Sequence, residues 1–262
     1  MKQFAIIILG LSLAGFSLSA QSAVAETETY VCPPCGGDCD QLTFDKPGVC
    51  PHCSMPLIKQ SRLKNVAIFV YEGMEILDFS GPGEVFAAAR PSDGAFKVYT
   101  VAATKDPILS QGFVKIQPEY TLADCPKPDI IVLPGGNARA SRENPEVISW
   151  LKIHATDLDA FVTVCTGVFI LEKTGLLEGK KATTWYGAID RFREGAPKTE
   201  VLENVRWVDN GQIVTTAGVS AGIDGALHVV EKLFGRETAL ATAKYMEYDK
   251  WKPEDGVVVE RP

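Results

Sequence analysis

One stretch constrains this chain more than any other: VTVCTGVFILEKTGLL at residues 162–177, an apolar run that meets a single cysteine, Cys165, and turns at once into helical spacing. A short, uncharged apolar run is buried on both faces, as the strands of parallel sheets are. Gly167, two residues beyond Cys165, allows the abrupt change of direction. A side chain on so sharp a turn projects from the C-terminal edge of the sheet, where open α/β sheets bind ligands. The helix start beside it offers unpaired N–H groups and a positive dipole end. Both lower a thiol pKa, and the thiolate is the nucleophile. An inert buried cysteine is the competing reading.

The remainder of the chain from Lys64 onward fits that picture. Apolar runs at NVAIFVY, FKVYTVAA, DIIVLPGG and AFVTVC alternate with helical patterns at DFSGPGEVFAAAR and NPEVISWLKIHATDL. This is the alternation of a parallel sheet covered on both faces. Ser80 and Pro82 mark the start of the first helix, and Asn144 with Pro145 that of the second. Hairpins are expected at Gln111-Gly112 and at Asp209-Asn210-Gly211. The segment from Ser220 to Tyr248 reads as a helix pair or one bent helix, and the tail from 249 to 262 carries little pattern.

The N-terminus has a different grammar. Lys2, the apolar stretch FAIIILGLSLAGFSLSA and the small residues Ala23 and Ala25 form a signal peptide over residues 1–25, with an uncleaved anchor helix as the alternative. The expected mature protein starts at Glu26, is exported to a periplasmic or extracellular space, and keeps no stable membrane anchor after cleavage. Of seven cysteines, Cys32, Cys35, Cys39, Cys50 and Cys53 fall within one short segment, whereas Cys125 and Cys165 stand apart. Two C-x-x-C turns can aim four thiolates, from Cys32, Cys35, Cys50 and Cys53, at one point, which suits a structural Zn²⁺. Export leaves disulfides open as the alternative for the segment 26–60, with Cys39 left over or paired with one of the others. The net charge of -7 and the lack of a Lys/Arg run speak against nucleic acid as a partner.

Four motifs in order, NVAIFVYEGMEILDFSGPGEVF, DIIVLPGG, VTVCTGVFIL and TTAGVSAGID, resemble the ThiJ/PfpI (DJ-one) superfamily, most closely its isocyanide hydratase and amidotransferase-like branch. The resemblance covers about residues 64–248. The Cys-rich segment, at DKPGVCPHCSMPLI, resembles the small heavy-metal-binding zinc ribbon of efflux proteins. The first resemblance implies a flavodoxin-like α/β sandwich, usually a homodimer, acting on a small-molecule substrate with no cofactor in its main site. It places Cys165 on the nucleophile, Asp78 on the acidic residue that touches it, and Thr166 on the neighbouring hydroxyl. Gly135 and Gly136 fall on the turn whose backbone N–H groups face the reacting centre. A carboxyl beside a thiolate has its pKa raised by like charge and can move a proton near neutral pH. Asp78 can equally cap its helix, Thr166 can serve as a helix-start hydroxyl, and the two glycines can form a plain tight turn.

The missing residues narrow the function. Histidine occurs only at 52, 154 and 228. Thr166 stands where the superfamily's peptidases carry histidine after the nucleophile, and Trp185 occupies another histidine place. A Cys-His protease therefore lacks its base. The helix-turn-helix of the regulator branch has no room after residue 248. Two classes remain: a cysteine-dependent hydratase or glyoxalase-like enzyme attacking a small electrophilic carbon, and a non-enzymatic redox- or metal-stress sensor using the same thiol.

Overall fold

The computed structural model describes residues 28–260. The signal peptide expected over residues 1–25 lies outside them. Among the described residues no helix is long and apolar enough to cross a membrane.

The Cys-rich segment forms a small antiparallel sheet with Thr43–Phe44 and Ile58–Lys59 on either side of Tyr30–Val31. Its apolar side is minimal: Val31 and Ile58 pack against Ala95 and Leu63 of the following domain. A segment this small cannot bury a core of its own, so its stability must come from that docking and from its cysteines.

Strand β1 (Leu63–Phe69), helix α1 (Ile76–Ala88), β2 (Ala95–Ala102), β3 (Tyr120–Thr121) and β4 (Ile130–Leu133) lead into helices α2 (Arg139–Glu143) and α3 (Pro145–His154). Strand β5 (Ala160–Thr163), α4 (Val168–Glu172), α5 (Ile189–Gly195), β6 (Trp207–Asp209), β7 (Ile213–Thr216), α6 (Ala221–Phe234), α7 (Arg236–Tyr245) and β8 (Gly256–Val258) complete the chain. The sheet order is β8-β6-β7-β5-β4-β1-β2-β3, parallel except where β6 meets β7. This is the flavodoxin-like α/β fold. Every residue of β4, β5 and β7 is buried, which explains why those runs read as continuously apolar. Helices α1, α6 and α7 pack as one group and α2, α3 and α4 as another, so both faces are covered. Each fully buried Val, Ile, Leu or Phe of this core contributes about 1.5–3 kcal/mol.

The hairpins form where expected. Gln111 and Gly112 turn between Ile108–Ser110 and Val114–Ile116, and β6 and β7 flank the turn after Asp209. Gly235, at φ 87°, separates α6 from α7, so the long C-terminal pattern is a pair of helices. Two expectations are corrected. Helix α1 starts at Ile76, and Pro82 lies inside it. Ser80 sits in the helix as well, its hydroxyl donating to the Ile76 carbonyl. The tail is not patternless either: Gly256–Val258 runs parallel to β6 as an edge strand, and Trp251 is buried. A three-residue strand is too short for periodicity to reveal.

Candidate functional site

Cys165 sits at φ 55°, a region that a non-glycine residue adopts only when its surroundings enforce it. The enforcement is visible. The Val164 N–H bonds the Leu133 carbonyl at 3.0 Å and the Cys165 N–H bonds the Ala217 carbonyl at 2.9 Å, fixing the elbow between the ends of β4 and β7. The Thr184 hydroxyl donates to the Cys165 carbonyl at 2.7 Å. Gly167 is forced by space: a Cβ there would lie 2.0 Å from the Leu133 carbonyl oxygen. The turn opens as a 3₁₀ turn over Cys165–Gly167, and the α-helix behind it has only five residues.

That geometry corrects the expected thiol chemistry. Burial, and then the charge of Asp78, push the Cys165 thiol up to about 12, outweighing the N–H groups of Thr166 and Val219 and the Thr166 hydroxyl. A short helix has too little dipole to offset desolvation. Asp78 is pushed up to about 7, first by burial, with Glu75 adding like charge and Gly135, Cys165 and Val219 opposing. The two groups thus sit against each other with a mobile proton on the carboxyl near neutrality.

Asp78 does not cap its helix. Glu75 holds the cap position, and the Asp78 Oδ2 instead accepts from the Gly135 N–H at 2.8 Å, across to the end of β4. Its Oδ1 is buried without a hydrogen-bond partner. Gly135 is essential to this contact, because a Cβ there would approach Asp78 Oδ2 and the Cys165 Cβ to 2.8 Å each.

The expectation of Gly135 and Gly136 as anion-stabilising donors is also corrected. The Gly135 N–H serves Asp78, and the Gly136 N–H donates to the Thr166 hydroxyl at 2.9 Å. Thr166 in turn donates to the Gly136 carbonyl at 3.1 Å, which ties the elbow to the glycine turn. Both N–H groups are engaged by the Asp78 and Thr166 side chains, so the turn positions the site.

Tyr71 and Val219, which act on the Asp78–Cys165 pair, escape sequence reasoning. Tyr71, buried, donates to the Pro134 carbonyl at 2.8 Å and has its ionisation raised by burial and by Asp78 and Cys165. Val219, at φ 50°, turns its N–H toward both Asp78 and Cys165. A β-branched residue in that region is a strained one, yet it sits in the TTAGVSAGID motif with no compositional cue. Trp185 lies against Gly218 and beside the exposed Tyr186. No histidine hydrogen-bonds Cys165 among the described residues. His228 instead stacks on Trp207 at 3.7 Å and bonds Asp209 at 2.8 Å, and His154 sits edge-on to Trp150.

The second concentration of thiols is the N-terminal cluster. Cys32, Cys39, Cys50 and Cys53 place their sulfurs within 4.8 Å of one another, and no cysteine of the chain is disulfide-bonded. Ligand sulfurs around a tetrahedral Zn²⁺, at about 2.3 Å from the metal, lie at comparable separations, so the donor set fits a metal ion. The expected set of Cys32, Cys35, Cys50 and Cys53 is corrected in one member: Cys39 replaces Cys35. Pro33 and Pro34 fix the first turn in extended backbone and supply no N–H to fold it into a tight knuckle. Cys35 is left exposed, with its sulfur 3.3 Å from Cys39, and belongs to an alternative grouping with Cys32, Cys39 and Asp40.

Comparison with known proteins agrees with the fold. The isonitrile hydratase of Pseudomonas putida is 29% identical over 192 residues, covering 72% of this chain and 81% of that protein. The structure of a ThiJ/PfpI family protein from Pseudomonas syringae superimposes with a TM-score of 0.65 at 30% identity, over 72% of this chain and 77% of the other. Drosophila melanogaster DJ-1beta shares the fold, with a TM-score of 0.63 at 23% identity over 70% of this chain and 97% of its own. The profile of the DJ-1/PfpI family matches residues 64–232, and the chain belongs to that family.

Proposed function

We propose that this protein is an exported, cysteine-dependent hydratase that adds water to a small electrophilic carbon, with an isonitrile as the sharpest candidate and a reactive dicarbonyl as the second. The observation that carries the reading is the buried Asp78–Cys165 pair. An unpartnered carboxyl oxygen and a thiol meet at the C-terminal edge of the sheet, and the carboxyl is poised at about 7. A group titrating near the working pH is suited to both taking and giving a proton. The likeness to the Pseudomonas putida isonitrile hydratase supports the same substrate class.

In this reading the Asp78 carboxylate takes the thiol proton as the Cys165 sulfur bonds to the isonitrile carbon, then returns that proton to the carbon. The product is a thioimidate. Water adds to its C=N carbon, the C–S bond breaks with the thiol re-protonated, and an N-formamide leaves. Atoms balance as one isonitrile plus one water. Thr166 and Thr184 hold the elbow, and Trp185 offers an apolar wall.

The N-terminal cluster holds a structural Zn²⁺ on Cys32, Cys39, Cys50 and Cys53, which cross-links a segment with almost no core. Assembly as a homodimer follows the family kinship. A sensor role for Cys165 is the second reading, favoured by five thiols gathered in one exported segment.

The test is turnover of an aryl isonitrile and, separately, of methylglyoxal by the metal-loaded protein, beside a Cys165→Ala control. Catalytic, Cys165-dependent consumption of either supports the reading. Stoichiometric modification of Cys165 without turnover points to the sensor.

A further inference from the structure

Beside the elbow is a cavity of about 330 Å³ whose lining includes Thr166, Gly136, Phe169, Arg142 and Arg191. The two guanidiniums share one support. Their Cζ atoms stack over the Phe169 ring at 5.7 and 4.7 Å. Phe169 lies in α4, four residues beyond Cys165, so the shared support belongs to the helix that follows the reacting sulfur. Neither forms an ion pair among the described residues, and the Arg142 Nε is buried with no hydrogen-bond partner. The remaining charges of the cavity, Arg139 and Glu143, face each other at 3.6 Å and offset one another. Two cations without an ion-pair partner among the described residues therefore line one concave site. An unsatisfied buried donor is costly, and stacking on a ring leaves the N–H edges of a guanidinium free.

From this arrangement we infer that the substrate carries a carboxylate, which seats on Arg142 and Arg191 while its reactive carbon reaches Cys165. The inference rests on the hydration reading for the reacting end only. A planar carboxylate matches the guanidinium fork in two parallel hydrogen bonds and neutralises the pair. The family resemblance implied only a small-molecule substrate. The arginine pair adds an anionic end to it.

Two experiments decide it, and the first needs no turnover. Cys165 in the full-length, metal-loaded protein is alkylated with iodoacetate and with iodoacetamide, and the modified peptide is quantified by mass spectrometry. The inference predicts a ratio of iodoacetate to iodoacetamide rates about tenfold above that of Cys165 in the urea-unfolded chain, falling as salt is added. It also predicts that R142Q/R191Q loses the preference and that R142K/R191K keeps most of it. A native ratio equal to the unfolded one, or one unchanged in the glutamine variant, overturns the inference. The second experiment compares 4-isocyanobenzoate with phenyl isonitrile. A lower KM for the acid, lost in R142Q/R191Q, supports the inference, and equal KM values contradict it. If neither isonitrile is consumed, the hydratase reading fails, and the alkylation ratio still decides the arginine site.

Discussion

The chain uses cysteine in two places and in two ways. In the N-terminal segment, thiols face thiols: the Cys32 and Cys53 sulfurs are 3.2 Å apart, and the group is covered only by a small cluster of Phe44, Met55 and Leu57. At the elbow, one thiol faces one carboxyl, inside the main core, on a strained backbone. The first arrangement suits a cation that replaces protons and joins distant chain segments. The second suits a proton that moves between two atoms. What a cysteine does is set by the atom opposite it, and the spacing of cysteines along the sequence reveals only the first case.

The sharpest way to break the comparison is to exchange ligands in the cluster. Structural zinc in small modules is worth about 10 kcal/mol or more of folding free energy. Cys39→Ser is expected to lose stoichiometric metal as completely as Cys50→Ser does, and Cys35→Ser to retain it. Metal content by mass spectrometry of the native protein checks this. If Cys35→Ser loses metal and Cys39→Ser keeps it, the two C-x-x-C turns are the true ligand set. Cys165-dependent reactivity is expected to survive in all three.

The next largest effect lies at the elbow. Gly167→Ala sets a methyl 2.0 Å from a carbonyl oxygen in the sheet, and a backbone neighbour cannot yield. A loss of about 4 kcal/mol or more is expected in denaturant unfolding. A loss under about 1 kcal/mol would show that the elbow is far looser than described.

Asp78 gives a pH signature. Its folded pKa, about 7, lies above the ordinary carboxyl value of 3.8, so the fold favours the protonated form. The corresponding stability is fully present below pH 3.8, is lost as pH rises to about 7, and is absent beyond it. Asp78→Asn should therefore match the wild type near pH 4 and exceed it at pH 8, by on the order of 4 kcal/mol at most. In the same variant the Cys165 thiol pKa should fall, since a like charge is removed, which alkylation rates against pH will report. A pH-independent difference in stability would contradict the buried pair.

The smallest effect is expected for Thr184→Val, which removes one hydrogen bond to the Cys165 carbonyl. It should cost about 1–2 kcal/mol and leave metal content unchanged.

How much of this was legible in the sequence follows from what periodicity and chemistry can signal. The elbow, the core strands along the chain and both hairpins were readable because buried strands are nearly all apolar and their turns carry glycine. The role of Cys39 was not, because two prolines in Cys32–Cys35 change the turn without changing the motif. The engagement of the Gly135 and Gly136 N–H groups was hidden for another reason: it depends on where Asp78 and Thr166 reach in space. Tyr71 and Val219 carried no cue, since an aromatic at a strand end and a valine in a loop look ordinary until the backbone angles are known. The direction of the Cys165 shift was not legible because it comes from burial first and then from the Asp78 charge, which only the fold reveals.

The central claim is that Cys165 bonds to the substrate carbon with Asp78 carrying the proton. The most direct measurement is intact-protein and peptide mass spectrometry after brief exposure of the metal-loaded protein to an aryl isonitrile, in the wild type and in Asp78→Asn. The account predicts a mass gain equal to one isonitrile on Cys165. It should be transient in the wild type as formamide appears, strongly reduced in Asp78→Asn, and absent in Cys165→Ala. Formamide produced with no adduct at Cys165, or produced equally by Cys165→Ala, would contradict it.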